Sequence, residues 1–462
     1  MSNSNGRMPC AVAIAFLTGG CAAVPLQQGR SNVDAMLQAR MESAQVVPAG
    51  GNSADASRIE SQITQWLGGP LTLENAQRIA LLRNPRIRAE YARLGLTAAE
   101  VFEAGRLQNP TLGLSWLLPL GQAQGSKVDA SAGLGITDLL LRGARKRMAA
   151  AQFDSAQQSI SGAILDLVAQ TRQGWFDCVA ATQRVTVRRS TADAAQLAAD
   201  LARQYHDAGN ITQLELQLQR AEASQARIEL QAAELMLTDA RAALQRQLGL
   251  SAAQSDWSVP DSLPEIPQQS AGNQAASLQS QALQQRLDLT AARHHVAALQ
   301  LQRDTVHRYR YVSSMQLGAD FEREGDGSKR LGPAAQLSLP LFQQGQGAIT
   351  QADAELALAE AEVVELENAI RSEVGRQLQR RELARLQAQA YREGLIPQRE
   401  AIVARLQERA NYMLADSFSV LTARQQEYTA YAGYVDAVLR YWTAHTELLR
   451  AMGSLRGTEE QP

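Results

Sequence analysis

The sequence predicts a mostly α-helical protein that also contributes strands to a membrane β-barrel, one that closes only when several copies assemble. Three observations predict it. Ala, Gln, Leu, Arg and Glu dominate the 462 residues while aromatics make up only 5%, the mix of long helices rather than of a dense globular core. The chain repeats itself about two hundred residues along. Each half of that repeat carries two segments in which apolar and polar residues alternate, the signature of strands with two different faces.

The formal charge is −2, so no domain-scale basic excess is available to neutralise phosphates and nucleic acid is excluded as a partner. Positive charge is almost all Arg, with Lys only at Lys127, Lys146 and Lys329. Residues 1–20 read as a secretory leader: one cation at Arg7, an apolar run Cys10–Leu17, then Thr18-Gly19-Gly20 before Cys21. Small residues ahead of a cysteine resemble the lipobox of bacterial lipoproteins, with Thr18 where an apolar residue is usual. Acyl chains on Cys21 would hold the protein at a membrane, each buried methylene contributing about 0.8 kcal/mol; the alternative is an ordinary leader cut elsewhere. Residues 21–70, with several Gly, Pro and Ser, read as an extended arm carrying a short helix near Ile59–Leu67. Cys178 stands alone in a helical stretch and reads as a small buried apolar residue. No later segment has the run of about 18 apolar residues that a transmembrane helix needs, so a bilayer crossing has to use strands closed into a barrel.

The repeat rests on landmarks in one register. Gly125-Ser126-Lys127 recurs as Gly327-Ser328-Lys329, an offset of 202 residues (327 − 125). Asn84–Ala89 aligns with Arg286–Ala291, and Leu139–Gly143 with Leu341–Gly345, at the same offset. The expected units are a first repeat over 71–250, a Pro-rich linker over 251–272, a second repeat over 273–452 and a polar tail over 453–462. Each repeat opens with one helix (about 73–107, matched by 275–308). Paired strands follow, at Thr111–Leu118 with Val128–Ile136 and at Met315–Phe321 with Ala335–Leu339. Then come long helices from Gly143 to about Tyr205 and from Gly345 to about Arg409, each spanning roughly 90 Å, with Gly174 and Gly375 as candidate bends. The closing helices carry seven-residue rows: Leu216, Ala223, Leu230, Leu237 and Leu244, and Leu421, Tyr428, Val435, Trp442 and Leu449, which mark coiled-coil seams. Thr212 and Asp416 suit the N-cap, where a side-chain oxygen accepts backbone N–H bonds, and Gly209 supplies the tight turn before the first of them.

Two strands per half leave four per chain, too few to close a membrane barrel, whose smallest examples have eight. Two copies would give eight strands and three would give twelve, so assembly is a requirement of the fold. At this point Leu71-Thr72-Leu73-Glu74-Asn75-Ala76, Asn84-Pro85, Asn109-Pro110, Leu339-Pro340-Leu341-Phe342 and Gly345 resemble the outer-membrane efflux protein family typified by TolC. Arg286–Leu289 resembles its Arg-Pro-Asp-Leu element, with Leu287 in place of the proline. The resemblance implies a homotrimer with a twelve-stranded β-barrel in the outer membrane, continued by a twelve-helix coiled-coil α-barrel across the periplasm. It implies partnership with a periplasmic adaptor and an inner-membrane pump of the resistance-nodulation-division class, and Cys21 would suit the lipoprotein branch. By the same resemblance Gly209, Asn210, Ile211 and Thr212, with Leu414, Ala415, Asp416 and Ser417, would form the periplasmic tips that meet the adaptor. Tyr412, Asp416, Ser419 and Thr422 are the candidate pore constriction; where relatives carry acidic residues, Ser419 and Thr422 are neutral here, and Asp416 is also placed to cap a helix. The turns holding Lys127 and Lys329 would face outward from the cell.

An enzyme needs convergent titratable groups, and His206, His294, His295, His307 and His445 are scattered without metal-ligand spacing. No phosphate loop or nucleophile elbow occurs; neither catalysis, cofactor nor bound metal is expected. A periplasmic adaptor or a purely structural coiled coil competes, but neither accounts for the duplication with its paired strands. Cargo is set largely by pump and adaptor; the expectation is metal cations, with drugs, solvents or type I secretion as alternatives.

Overall fold

The computed structural model describes residues 26–41, 53–118, 125–251, 254, 256–267, 275–312 and 314–456. The leader and Cys21 lie outside the described residues. In chain order the elements are α1 (Leu26–Gln38), α2 (Ser53–Leu67), α3 (Leu73–Arg83), α4 (Pro85–Ala104), β1 (Thr111–Leu117), β2 (Lys127–Gly135), α5 (Ile136–Asp207) and α6 (Gln213–Leu248). The second half follows with α7 (Ala275–Gln285), α8 (Leu287–Tyr309), β3 (Met315–Arg323), β4 (Lys329–Leu337), α9 (Gln346–Gln389), a π-helical turn (Ala390–Leu395), α10 (Ile396–Asn411) and α11 (Ser417–Ala451).

The helix expected over 73–107 is two helices. Asn84 adopts an extended conformation, as a residue before proline must. Its side chain accepts from the Arg86 N–H at 2.8 Å while its amide donates to the Gln247 carbonyl at 2.8 Å. The helix expected over 275–308 breaks in the same way at Arg286, without a proline. There Arg286 grips the Asp288 carboxylate with two bonds of 2.9 and 2.6 Å and donates to the Ala451 carbonyl. A left-handed glycine seats the end of each closing helix against these kinks. A Cβ on Gly249 (φ +68) would lie 2.6 Å from the Arg83 carbonyl oxygen, and one on Gly453 (φ +75) would lie 2.9 Å from Arg286 Cα. The duplication is thus a repeat of close-packed joints as well as of letters.

Helix α5 has 72 residues, which at 1.5 Å per residue is about 110 Å. It starts at Ile136, seven residues before Gly143, whereas its counterpart starts at Gln346, directly after the left-handed Gly345 (φ +79). Helix α5 runs unbroken through Gly174, whose bare Cα lets Gln247 of α6 approach. Helix α9 likewise runs unbroken through Gly375. The second long helix is interrupted at the π turn, where Pro397 has no N–H for the Glu393 carbonyl and an extra residue in the turn takes up the clash.

The core lies midway along the helices, where Trp175, Phe176, Cys178, Leu244 and Val435 are buried and the Phe176 and Trp442 rings stack at 5.2 Å. The arm is more helical than expected, and Val33 and Leu37 of α1 and Ile63 of α2 are buried. The proline-rich stretch is a packed strap. Trp257, Val259 and Leu263 are buried, the Ser258 carbonyl accepts from Leu71 at 2.8 Å, and the Trp442 indole donates to the Pro264 carbonyl at 2.9 Å. The tail also differs from expectation at its start, since Leu455 is buried and its N–H donates to the Arg40 carbonyl at 2.9 Å. Among the described residues no helix is long and apolar enough to cross a membrane.

Candidate duct wall and tips

Strands β1 to β4 form one antiparallel sheet in sequence order, so the two halves join through β2 and β3 and the free edges are β1 and β4. The register sorts the side chains onto two faces. One face carries Leu112, Leu114 and Trp116 (82, 79 and 71% exposed) beside Val128, Ala130 and Ala132, then Leu317, Ala319 and Phe321, then Leu331, Pro333 and Ala335. The other carries Ser115, Asp129, Glu322 and Arg330 in one cross-strand row and Gly113, Ser131, Asp320 and Gly332 in the next. A sheet that leaves its apolar side exposed, with a polar side opposite, has the two-faced pattern of a water-filled barrel wall in lipid. On the polar side the Ser115 hydroxyl donates to Asp129 at 3.1 Å, and Lys127 pairs with Glu322 and lies within 3.7 Å of Asp129 and Glu324. In Gly125-Ser126-Lys127 the glycine (φ +96) makes the turn, and the lysine ties the first hairpin to the second.

At the far end, Gly209 (φ +76) and Thr212 turn the first helical hairpin. Thr212 and Glu215 form a reciprocal capping box: Glu215 N–H donates to the Thr212 hydroxyl at 3.2 Å, and Thr212 N–H donates to the Glu215 carboxylate at 2.7 Å. That backbone bond, with the Thr212 hydroxyl, holds the Glu215 carboxyl below its usual range. In the second tip the Ser419 hydroxyl and N–H donate to Asp416 at 2.6 and 2.8 Å and hold its carboxyl below the usual range. Both Asp416 oxygens are engaged in capping α11. The edge of Tyr205 meets Phe418 with ring centroids 5.8 Å apart, which places the two tips side by side. Tyr412, Met413 and Leu414 project beyond them, Met413 at 95% exposure and in the left-handed region (φ 59). The structure therefore brings Tyr412, Asp416 and Ser419 to one end, with Thr422 a turn further along α11.

The seam of α6 is as the seven-residue row indicates, with Leu216, Ala223 and Leu244 buried and Leu230 and Leu237 half-buried. In α11 Val435 and Leu449 of the expected row are buried and Leu421, Tyr428 and Trp442 half-buried, while a second row seven apart, Ala423, Ala430, Ala437, Ala444 and Ala451, is buried throughout. Alanine spacing was the signal, masked in the sequence by larger neighbours two residues away. Small side chains let α11 approach its neighbours closely, as in the Ala192, Ala195, Ala199, Ala223 and Ala226 cluster between α5 and α6.

Residues 77–250 match the family described as outer membrane efflux protein. That match spans 174 residues (250 − 77 + 1) of the 462. The chain is 28% identical over 295 residues to the cobalt-zinc-cadmium resistance protein CzcC of Cupriavidus metallidurans, covering 62% of this chain and 68% of that one. Its fold matches the CmeC outer membrane channel of Campylobacter jejuni with a TM-score of 0.70 at 17% identity, over 84% of this chain and 87% of that one. A membrane protein from Pseudomonas aeruginosa matches with a TM-score of 0.68 at 20% identity, over 84% and 94%. In fold this chain is similar to outer membrane channels, and over residues 77–250 it is similar in sequence to an outer membrane efflux family. Among its described residues no group of three or more His, Cys, Asp or Glu is placed to hold a metal ion.

Proposed function

We propose that three copies of this chain form the exit duct of a tripartite efflux system for divalent metal cations. Each copy supplies four strands to a twelve-stranded barrel and four helical spans to a periplasmic tube; the duct works by passage, without catalysis. A periplasmic adaptor meets the tips at Gly209–Thr212 and Leu414–Ser417, an inner-membrane pump of the resistance-nodulation-division class drives export, and acyl chains on Cys21 add a lipid anchor. Tyr412 at the projecting tip, with Asp416, Ser419 and Thr422, narrows the resting pore. The repeats at 71–250 and 273–452 are the two halves of each stave. The free edges of β1 and β4 support assembly, because unpaired backbone groups cannot face hydrocarbon. The observation that carries the cargo assignment is the similarity to a cobalt-zinc-cadmium resistance protein over 295 residues.

Deleting the gene and titrating the strain with cobalt, zinc and cadmium salts, and separately with dyes and detergents, tests this. Metal tolerance falls several-fold and returns on complementation if the reading is right. Unchanged metal tolerance with lost dye or detergent tolerance selects a drug or solvent duct of the same fold.

A further inference from the structure

We infer that the foot of the β-sheet, on the side of the helices, binds anionic phospholipid headgroups of the periplasmic leaflet. The inference rests on the outer-membrane reading above. The strand ends Thr111, Gly135, Met315 and Leu337 all lie on that side. The stretches leading into or away from them, 105–110, 136–147, 307–314 and 338–346, hold Arg106, Arg142, Arg145, Lys146, Arg147, Arg308 and Arg310 against one carboxylate, Asp138, which pairs with Arg145. Glu103 and Asp304 come next, a turn or so further into the helices. A local excess of six positive charges (7 − 1) in a chain of net charge −2 is a strong asymmetry. The opposite end of the sheet is mixed, with Lys127, Lys329 and Arg330 interspersed with Glu322, Glu324 and Asp326.

Depth supports a headgroup ligand. Nine residues of β2 at about 3.3 Å each, tilted as barrel strands are, cover roughly the 25 Å apolar band. Below it Leu139 and Leu140 are about half exposed, and Phe342 is almost fully exposed. Arg142 follows seven residues past Gly135, about 10 Å down α5. Side chains on a helix lean toward its N-terminus, which for α5 is the membrane end, so Arg142, Arg145, Lys146 and Arg147 lean back toward the headgroup layer. Arg142 is anchored there by donating to the Gly105 carbonyl at 2.7 Å, joining α5 to the end of α4.

Beside this joint lies a cavity of about 550 Å³. Val101, Phe102 and Phe153 line it together with Arg106, Lys146 and Asp154, and the Arg106 guanidinium sits 4.3 Å over the Phe102 ring. Two cations beside an apolar recess match a phosphate headgroup with the start of its acyl chain.

The test uses the full chain reconstituted in nanodiscs of equal phosphatidylethanolamine and phosphatidylglycerol, with lipids retained on the released protein counted by native mass spectrometry. Wild type retains phosphatidylglycerol preferentially, and Arg106→Gln with Lys146→Gln lowers the ratio about fivefold for each cation removed. Arg147→Gln with Arg308→Gln lowers it in the same direction should the first pair fold poorly, and Lys329→Gln, at the opposite end, leaves it unchanged. Equal retention of the two lipids by a wild type that inserts normally overturns the headgroup site alone, as does exclusive retention of lipopolysaccharide. A wild type that never enters bilayers overturns the membrane reading, and the site with it.

Discussion

His445 sits in the last third of α11, 6% exposed, its ring parallel to Tyr441 with centroids 6.0 Å apart and edge-on to Trp442. Burial, reinforced by the nearby Arg172 and Arg381 guanidinium groups, pushes its pKa down to about 3. The folded state therefore holds a neutral imidazole where the unfolded chain binds a proton below about 6.5. Stability from this site is fully present above pH 6.5 and is lost as pH falls from there toward 3, with a slope approaching 1.4 kcal/mol per pH unit. Denaturant midpoints of detergent-solubilised protein are expected to drop over that window, and His445→Gln to flatten the drop. A midpoint equally pH-dependent in the variant would refute the assignment. Burial likewise pushes the Cys178 thiol up to about 11, which fits the small apolar role its sequence context suggests. His445 carried no such sign: one histidine among aromatics reads the same whether exposed or enclosed, and only the packed helices around it desolvate the ring.

At the scale of elements the joints matter most. Arg286 reaches Asp288 with two bonds, Glu373 at 3.2 Å and the Ala451 carbonyl, and Arg450 adds bonds to Glu373 and Glu447. Burial alone would raise the Asp288 carboxyl, but Arg286 outweighs it and holds the group below the usual range. Arg286→Ala leaves these acceptors short of a donor in a half-enclosed site, and a loss of about 2–3 kcal/mol is expected. The measurement is a denaturant midpoint, with Asp288→Asn costing less because the Glu373 and Ala451 bonds survive. The paired motifs around residues 84 and 286 were legible in the sequence. That they are kinks was not, because Arg-Leu carries no helix breaker and its extended backbone is imposed by what Arg286 grips. The π turn was hidden for a related reason: Pro397 can end a helix, kink it or widen one turn, and the neighbouring helices choose.

For the whole molecule, the decisive property is a sheet with one wet face, one apolar face and two open edges. Leu114→Arg places a charge on the lipid face near mid-strand, with an expected cost of about 2–4 kcal/mol, read as a drop in SDS-resistant trimer recovered from outer membranes. Ser115→Arg, on the next residue but the opposite face, is expected to leave trimer yield unchanged and lower single-channel cation conductance in planar bilayers. Equal trimer loss in both variants would mean that the faces are wrongly assigned. One residue of register separates the two outcomes, since side chains alternate across a strand.

By itself the sequence determined the elements whose cause is local or periodic: alternating strands, long helices, capped tips at Thr212 and Asp416, and one order of elements repeated in the two halves of the chain. The strand count also implied that copies have to assemble, because backbone groups left unpaired in hydrocarbon are too costly to tolerate. Tertiary structure alone decided the order β1-β2-β3-β4, the fully buried alanine row of α11, the helical kink at Arg286 and the burial of the proline-rich strap. Each of these depends on contacts between residues far apart in the chain, and periodicity within a segment carries no record of which distant surface will cover it.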